Sequence, residues 1–253
     1  MLIELHNNFS TPITITKLAR IKGGTWALVH RAKLFHTNNI VIKQYGDTTI
    51  DNSLQAFSPS FAQELLRDIK QLKDLLLTLG FNIPRTYFFG LAAKNIQLTS
   101  ILSHMQHPNI PARINTTNKS VSNQFQIILL EESTGISIRE IIRSNIPESI
   151  KQNVINEAIQ VITKLPEGVE LDLNPGNITY DFVDNKFYVI DFMPPRFWSA
   201  TGDYYRNIAY NFPSILISEE KYKNVDIRSQ YITTSGRLDR YKFYVEQLLV
   251  QNK

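Results

Sequence analysis

Short runs of alternating apolar and polar residues open the chain, at Pro12 to Ala19, Trp26 to Ala32 and Asn39 to Gln44. Each is rich in β-branched or apolar residues, the pattern of strands with one covered face. Gly23 and Gly24 separate the first two, which predicts an antiparallel hairpin followed by a third strand. The period then changes. Leu65, Ile69, Leu72, Leu76 and Leu79 recur at three and four residues and share one face of a helix. Its start is marked by Ser58-Pro59, or by Ser60 with Gln63 three residues on, and its end by Gly80. Extended chain returns at Arg85 to Phe89 and Gln97 to Leu102, the polar stretch His104 to Gln124 reads as a loop, and Phe125 to Leu130 is the clearest strand in mid-chain.

Beyond Gly135 helical spacing dominates, with Ile138, Ile141 and Ile142 on a short helix and Val154, Ile155, Ala158, Ile159 and Ile162 on a longer one. Ile178 to Val183 and Phe187 to Ile190 predict two short strands around the turn Asp184-Asn185. Helices are predicted near Asp203 to Tyr210 and from Leu238 to Val250. No repeat or linker-like tract interrupts this order. Strands first and helices later is the segregation of an α+β protein with a sheet-rich first lobe and a helical second one.

Composition narrows the function classes. At 253 residues the chain can bury a sizeable core, and 43% hydrophobic with 20% charged residues is ordinary for a globular protein. A net charge of +4, from 27 basic and 23 acidic residues without a dense basic run, gives no concentrated stripe for nucleic acid, and no such partner is expected. The absence of cysteine excludes disulfides, thiolate zinc sites and cysteine nucleophiles. Met1 to Thr16 carry Glu4, His6 and several Asn instead of a leader's apolar run, and apolar runs such as Ile127 to Leu130 are too short to span a bilayer. The expectation is a soluble, cytoplasmic protein. Its five histidines show no metal-site spacing beyond the loop pair His104 and His107, and read as ordinary surface or core residues.

The residues that carry chemistry lie late in the chain. Asp172-Leu173-Asn174-Pro175-Gly176-Asn177 is followed, fourteen residues after Asn177, by Asp191-Phe192-Met193 at the end of an apolar strand. An Asn-Pro-Gly loop alone is turn chemistry, and a lone Asp can simply end a strand. With a strand pair between them, the two segments resemble the catalytic loop and metal-binding Asp of the protein-kinase-like superfamily, which includes aminoglycoside-phosphotransferase-like and other atypical kinases.

That resemblance implies a bilobal protein-kinase-like fold of α+β class, with an antiparallel-sheet N-lobe at residues 1–132 and a mainly helical C-lobe at 133–253. It implies ATP and Mg²⁺ as cofactors. Asp172 would orient the acceptor hydroxyl and take its proton, while Asn177 and Asp191 would hold the metal. Phosphoryl transfer needs those groups because metal neutralises phosphate charge and a carboxylate must face the attacking hydroxyl. Ile40-Val41-Ile42-Lys43 is similar to the family's third-strand lysine motif, so Lys43 would contact phosphates and pair with Glu64 on the following helix. Gly23, Gly24 and Thr25 resemble part of the glycine-rich nucleotide loop, with Ala27 where a third glycine would fall. The run from Leu129 to Ile138 is similar to the segment linking the lobes, where adenine would bond backbone groups near Glu131, Glu132 and Ser133.

The chain also departs from the family. Glu170-Leu171 stand where His-Arg usually brace the loop, Asn174 replaces a lysine two residues after the catalytic Asp, and Met193-Pro194-Pro195 replace the glycine after Asp-Phe. The Pro-Gly-Asn ending looks more like small-molecule and atypical kinases. Arg196, Asp203, Tyr204, Tyr205 and Arg206 could form an acceptor site or a structural ion-pair cluster. The expected function is an ATP- and Mg-dependent transfer of the γ-phosphate to a hydroxyl of an unidentified small-molecule or protein acceptor. Two other readings stay open: an inactive pseudokinase that binds nucleotide or protein, and transfer of a nucleotidyl group.

Overall fold

The computed structural model describes residues 5–7, 15–21, 27–34, 38–45, 58–93, 125–192 and 232–251. Packing divides the chain into two compact units, one of residues 1–68 and 84–133, the other of 69–83 and 134–253. The sequence placed the whole of 1–132 in the first. Residues 69–83 depart from that boundary because their local partners lie in the second unit: Val189 N–H donates to Asn82 O at 3.1 Å, and Lys73 Nζ sits 4.4 Å from the centroid of the Phe192 ring.

The first unit carries a six-stranded sheet of β1 (Leu5–Asn7), β2 (Ile15–Ile21), β3 (Ala27–Leu34), β4 (Asn38–Tyr45), β5 (Thr86–Ala93) and β6 (Phe125–Glu132). Their order is β1-β5-β6-β4-β3-β2, and each neighbouring pair is antiparallel. β6 lies between β4 and β5, so both its edges are paired and both its faces are covered. That is why Ile127 to Leu130 form an unbroken apolar run instead of alternating. The three residues of β1 are too few to show a period and gave no strand signal.

Helix α1 (Pro59–Thr78) begins as the first of the two expected caps predicts, with Ser58 Oγ accepting from Phe61 N–H at 3.4 Å and Pro59 in the first turn, where its missing donor costs nothing. Ala62, Leu65, Ile69, Leu72 and Leu76 are buried along one stripe. Leu79 was expected on that stripe but lies past the last helical turn and is exposed. Gly80, at φ 77°, closes the helix: its N–H donates to Leu77 O at 3.0 Å, and Phe81 N–H donates to Leu76 O at 2.9 Å. This paired termination satisfies carbonyls the helix leaves open and favours glycine at the left-handed position.

The second unit carries a three-stranded sheet, in the order β7 (Ile136–Ser137), β8 (Ile178–Asp181), β9 (Lys186–Val189), with helices α2 (Ile138–Arg143), α3 (Glu148–Thr163) and α4 (Thr234–Gln251). Gly135 precedes β7 at φ 52°, and a Cβ there would fall 2.1 Å from Tyr180 O, so only glycine lets this chain approach β8. Ser137 caps α2 through a reciprocal pair with Glu140, a spacing the sequence carries three residues apart. Ile138, Ile141, Ile142, Val154, Ile155, Ala158 and Ile162 are buried with Tyr241, Val245 and Leu248 of α4, which packs against α2 and α3. α4 begins four residues before the expected Leu238, because Thr233 Oγ1 accepts from Gly236 N–H at 3.0 Å and caps an extra turn. Among the described residues no helix is long and apolar enough to cross a membrane.

Candidate functional site

The β8–β9 hairpin sets the geometry of the late motifs. Ile178 pairs with Val189, and one step outward Ile190 N–H donates to Asn177 O at 3.0 Å. Asn177 thus stands across from Ile190, and Asp191 is the next residue along. The turn closing the hairpin keeps this register: Asp181 Oδ1 accepts from Val183 N–H at 2.8 Å, and Asn185 takes φ 52°, a conformation Asn tolerates.

The loop before β8 is pinned from below by Leu171 and Leu173, both fully buried. Between and after them, polar groups bond to one another. Asn174 Nδ2 donates to Asp172 Oδ2 at 2.9 Å, and Asn177 Nδ2 donates to the Asp172 carbonyl at 3.0 Å. Asn174 Oδ1 accepts from Gly176 N–H at 2.8 Å and from Arg139 Nη2 at 3.3 Å. The Arg139 backbone donates to Pro175 O at 2.9 Å, which ties the loop to the start of α2. Gly176 makes room for this, since a Cβ there would lie 2.7 Å from Arg139 Nη2. Arg240 of α4 completes the set, with Nε donating to Asp172 Oδ1 at 3.1 Å. The loop is braced by Asn174, Arg139 and Arg240.

Tyr244, one turn beyond Arg240, packs its ring 4.9 Å from the guanidinium carbon. Burial pushes its phenol above the ordinary range, Arg240 pulls it back, and Asp172 pushes it up again. The phenol thus shares one electrostatic cluster with the ion pair.

The proposed metal ligands are compatible with a hard cation. Asn177 spends its amide nitrogen on the loop, so the oxygen is the atom it has for a ligand, and no described residue donates to that oxygen. Asp191, which follows the residue across from Asn177, is half-buried and precedes the fully buried Phe192. No cluster of three or more His, Asp or Glu residues that could hold a metal occurs among the described residues. Magnesium does not require one, because it takes one or two protein oxygens and fills its octahedron with phosphate and water.

In the first unit Lys43 is buried, and its Nζ donates to Glu131 Oε2 at 2.8 Å. This corrects the expected pairing with Glu64, which is exposed on α1. The sheet register explains the exchange. Val41 faces Glu131 across β4 and β6, so Lys43 is its diagonal neighbour on the same face, within reach of a long side chain. The same strand alters the expectation for adenine. Glu132 N–H donates to Arg85 O at 2.9 Å and Ser133 N–H to Asn39 O at 3.0 Å, so two donors expected to face the base are committed within this unit. Glu131→Gln should lower stability by about 2 kcal/mol by removing the counter-charge of a buried lysine, and Glu64→Gln should change it by less than about 0.5 kcal/mol. Urea unfolding midpoints of the two variants check this contrast.

Gly23, Gly24 and Thr25 lie outside the described residues, as do His104, His107, Arg196, Asp203, Tyr204, Tyr205 and Arg206. Arg139 and Arg240 were missed by sequence reasoning. Arg139 lies inside the Ser137–Glu140 capping box and could have been marked as the cation of that first helical turn; Arg240 is 68 residues from Asp172, and only packing joins them.

No protein-family model and no curated protein matches the chain. Among solved structures, a MAP kinase of Leishmania major, LmaMPK10, is similar at 18% identity with a TM-score of 0.41, over 74% of this chain and 48% of that one. The chain matches about half the length of that kinase.

Proposed function

We propose that the chain is an ATP- and Mg²⁺-dependent phosphotransferase of the atypical kinase type, acting on a hydroxyl of a small-molecule or specialised protein acceptor. The observation that carries this reading is the register of the β8–β9 hairpin. It supports the reading because Asn177 and Asp191, the proposed metal ligands, occupy neighbouring backbone positions after the loop that carries Asp172. In the reaction the acceptor oxygen forms a bond to the γ-phosphorus, the bond from that phosphorus to the β,γ-bridging oxygen breaks, and ADP leaves with the electron pair. The acceptor proton passes to Asp172. Asn177 and Asp191 would hold magnesium, whose charge offsets that of the phosphates. Lys43, in its own unit, is proposed to contact nucleotide phosphate with Glu131 as its anchor.

A second reading, nucleotide binding without turnover, draws on one observation. Each carboxylate oxygen of Asp172 already accepts a hydrogen bond. A carboxylate oxygen has two lone-pair sites, so this leaves capacity for an acceptor hydroxyl, and transfer remains the better reading.

Thermal unfolding with and without Mg-ATP tests the proposal. At about a hundred times its dissociation constant the ligand should add roughly 2.7 kcal/mol to the parent. Asp191→Ala should lose the magnesium-dependent part of that gain. No shift of the parent at millimolar ATP, or an equal shift in the variant, overturns the metal assignment.

A further inference from the structure

We propose that Arg240 is a positioning residue of the transfer loop: it fixes the Asp172 carboxylate and supplies beside it the positive charge that the loop itself lacks. This rests on reading Asp172 as the group that receives the acceptor's proton.

The charge count around the loop motivates it. From Glu170 to Asn177 the chain has two carboxylates and no cation. Asn174, where a lysine would supply charge, is neutral and uses its amide on Asp172 and Gly176 of the loop and on Arg139 of α2. Negative charge still has to be met as the phosphoryl group moves between two oxygens, and a fixed cation in a water-poor site is the effective way to meet it. Arg240 is that cation nearest Asp172. Its side chain is 7% exposed and that of Asp172 9%.

The geometry is that of a fixed group. Arg240 Nε takes Asp172 Oδ1 while Asn174 Nδ2 takes Oδ2, so the carboxylate is gripped at both oxygens and its plane cannot turn. The Tyr244 ring packs against the guanidinium from the next turn of α4. An exposed pair would lose most of its strength to solvent and to side-chain freedom. This one is buried and stacked, so its cost in order is met on folding, before any substrate arrives.

A buried ion pair that served only to dock α4 would lower stability when broken, with nucleotide affinity and turnover falling together. A positioning residue splits them. The step in question is hydrolysis of ATP, in which a water oxygen bonds to the γ-phosphorus, ADP leaves with the bridging oxygen, and the water's proton goes to Asp172.

The experiment uses the full chain as parent, Arg240→Gln and Arg240→Lys, with Mg-ATP as probe and water as acceptor. It reads phosphate release, the Mg-ATP dissociation constant and the unfolding temperature. Arg240→Gln should bind Mg-ATP within about threefold of the parent but release phosphate about a hundredfold more slowly. Millimolar guanidinium should restore much of that rate, and Arg240→Lys should lie between parent and Gln variant. If Arg240→Gln does not fold, Arg240→Lys decides, with slower release at unchanged affinity expected. Unchanged release in a folded variant, or release and affinity lost together without guanidinium rescue, overturns the inference and leaves the phosphotransferase reading intact. Absence of phosphate release from the parent overturns both.

Discussion

Arg237→Met should lower the stability of the second unit by about 4 kcal/mol, through one lost charge and several lost hydrogen bonds at nearly constant volume. Arg237 is fully buried near the start of α4. Its guanidinium donates to Leu165 O at 2.7 Å, Val169 O at 3.1 Å and Pro166 O at 3.3 Å, and to Thr234 Oγ1 at 3.4 Å. Burial pushes its pKa down from the ordinary arginine value and the carboxylate of Glu167 offsets part of that. Methionine fills the space but offers no donor, so the carbonyls that turn the chain from α3 toward Asp172 lose their partner in a place where water does not easily replace it. Removing one side of such an arrangement costs more than the hydrogen bonds contribute net, because the acceptors stay desolvated. A fall in melting temperature of roughly 10 °C is the expected reading for a chain of this size. A fall of less than about 2 °C would mean that the 165–169 segment finds other donors and that Arg237 is not its anchor.

The periodic part of the fold is legible in the sequence because burial repeats along it. Leu65, Ile69, Leu72 and Leu76 mark α1, Ile138, Ile141 and Ile142 mark α2, and the unbroken run Ile127 to Leu130 marks a strand covered on both faces. Elements without a period left no such trace. β1 is three residues at a sheet edge, and β7 is two residues made possible by the close approach of Gly135 to Tyr180. The late motifs are legible for a different reason: Asp172, Asn177 and Asp191 are joined by a short hairpin, so sequence spacing nearly determines spatial spacing. For Lys43 the resemblance pointed to Glu64 alone, whereas the register of β4 against β6 brings it to Glu131. Arg240 is the extreme case, since nothing local to α4 distinguishes it from a helix-surface arginine until the helix packs and turns it onto Asp172.

Asp172→Asn should slow phosphoryl transfer about a thousandfold, the range expected when a positioned general base is removed. It should change the Mg-ATP dissociation constant by no more than about threefold, because the proposed role of Asp172 is at the acceptor and magnesium is left to Asn177 and Asp191. Asparagine is the informative replacement. Alanine would strand the buried Arg240 guanidinium without its carboxylate, and the loss of stability would blur any kinetic effect. The asparagine oxygen can still accept from Arg240 Nε, as Asp172 Oδ1 does at 3.1 Å. Its amide nitrogen, however, would face Asn174 Nδ2, which donates to Oδ2 in the parent at 2.9 Å. Asn174 cannot simply flip to accommodate it, because its own oxygen accepts from Gly176 N–H and Arg139. A cost of about 1 kcal/mol in stability is therefore expected alongside the kinetic loss. Phosphate release, equilibrium binding and thermal unfolding measured on one preparation separate these effects. Transfer lost with affinity kept assigns the proton to Asp172. Loss of both to the same extent moves Asp172 from the acceptor to the nucleotide, and with it the role proposed for Arg240.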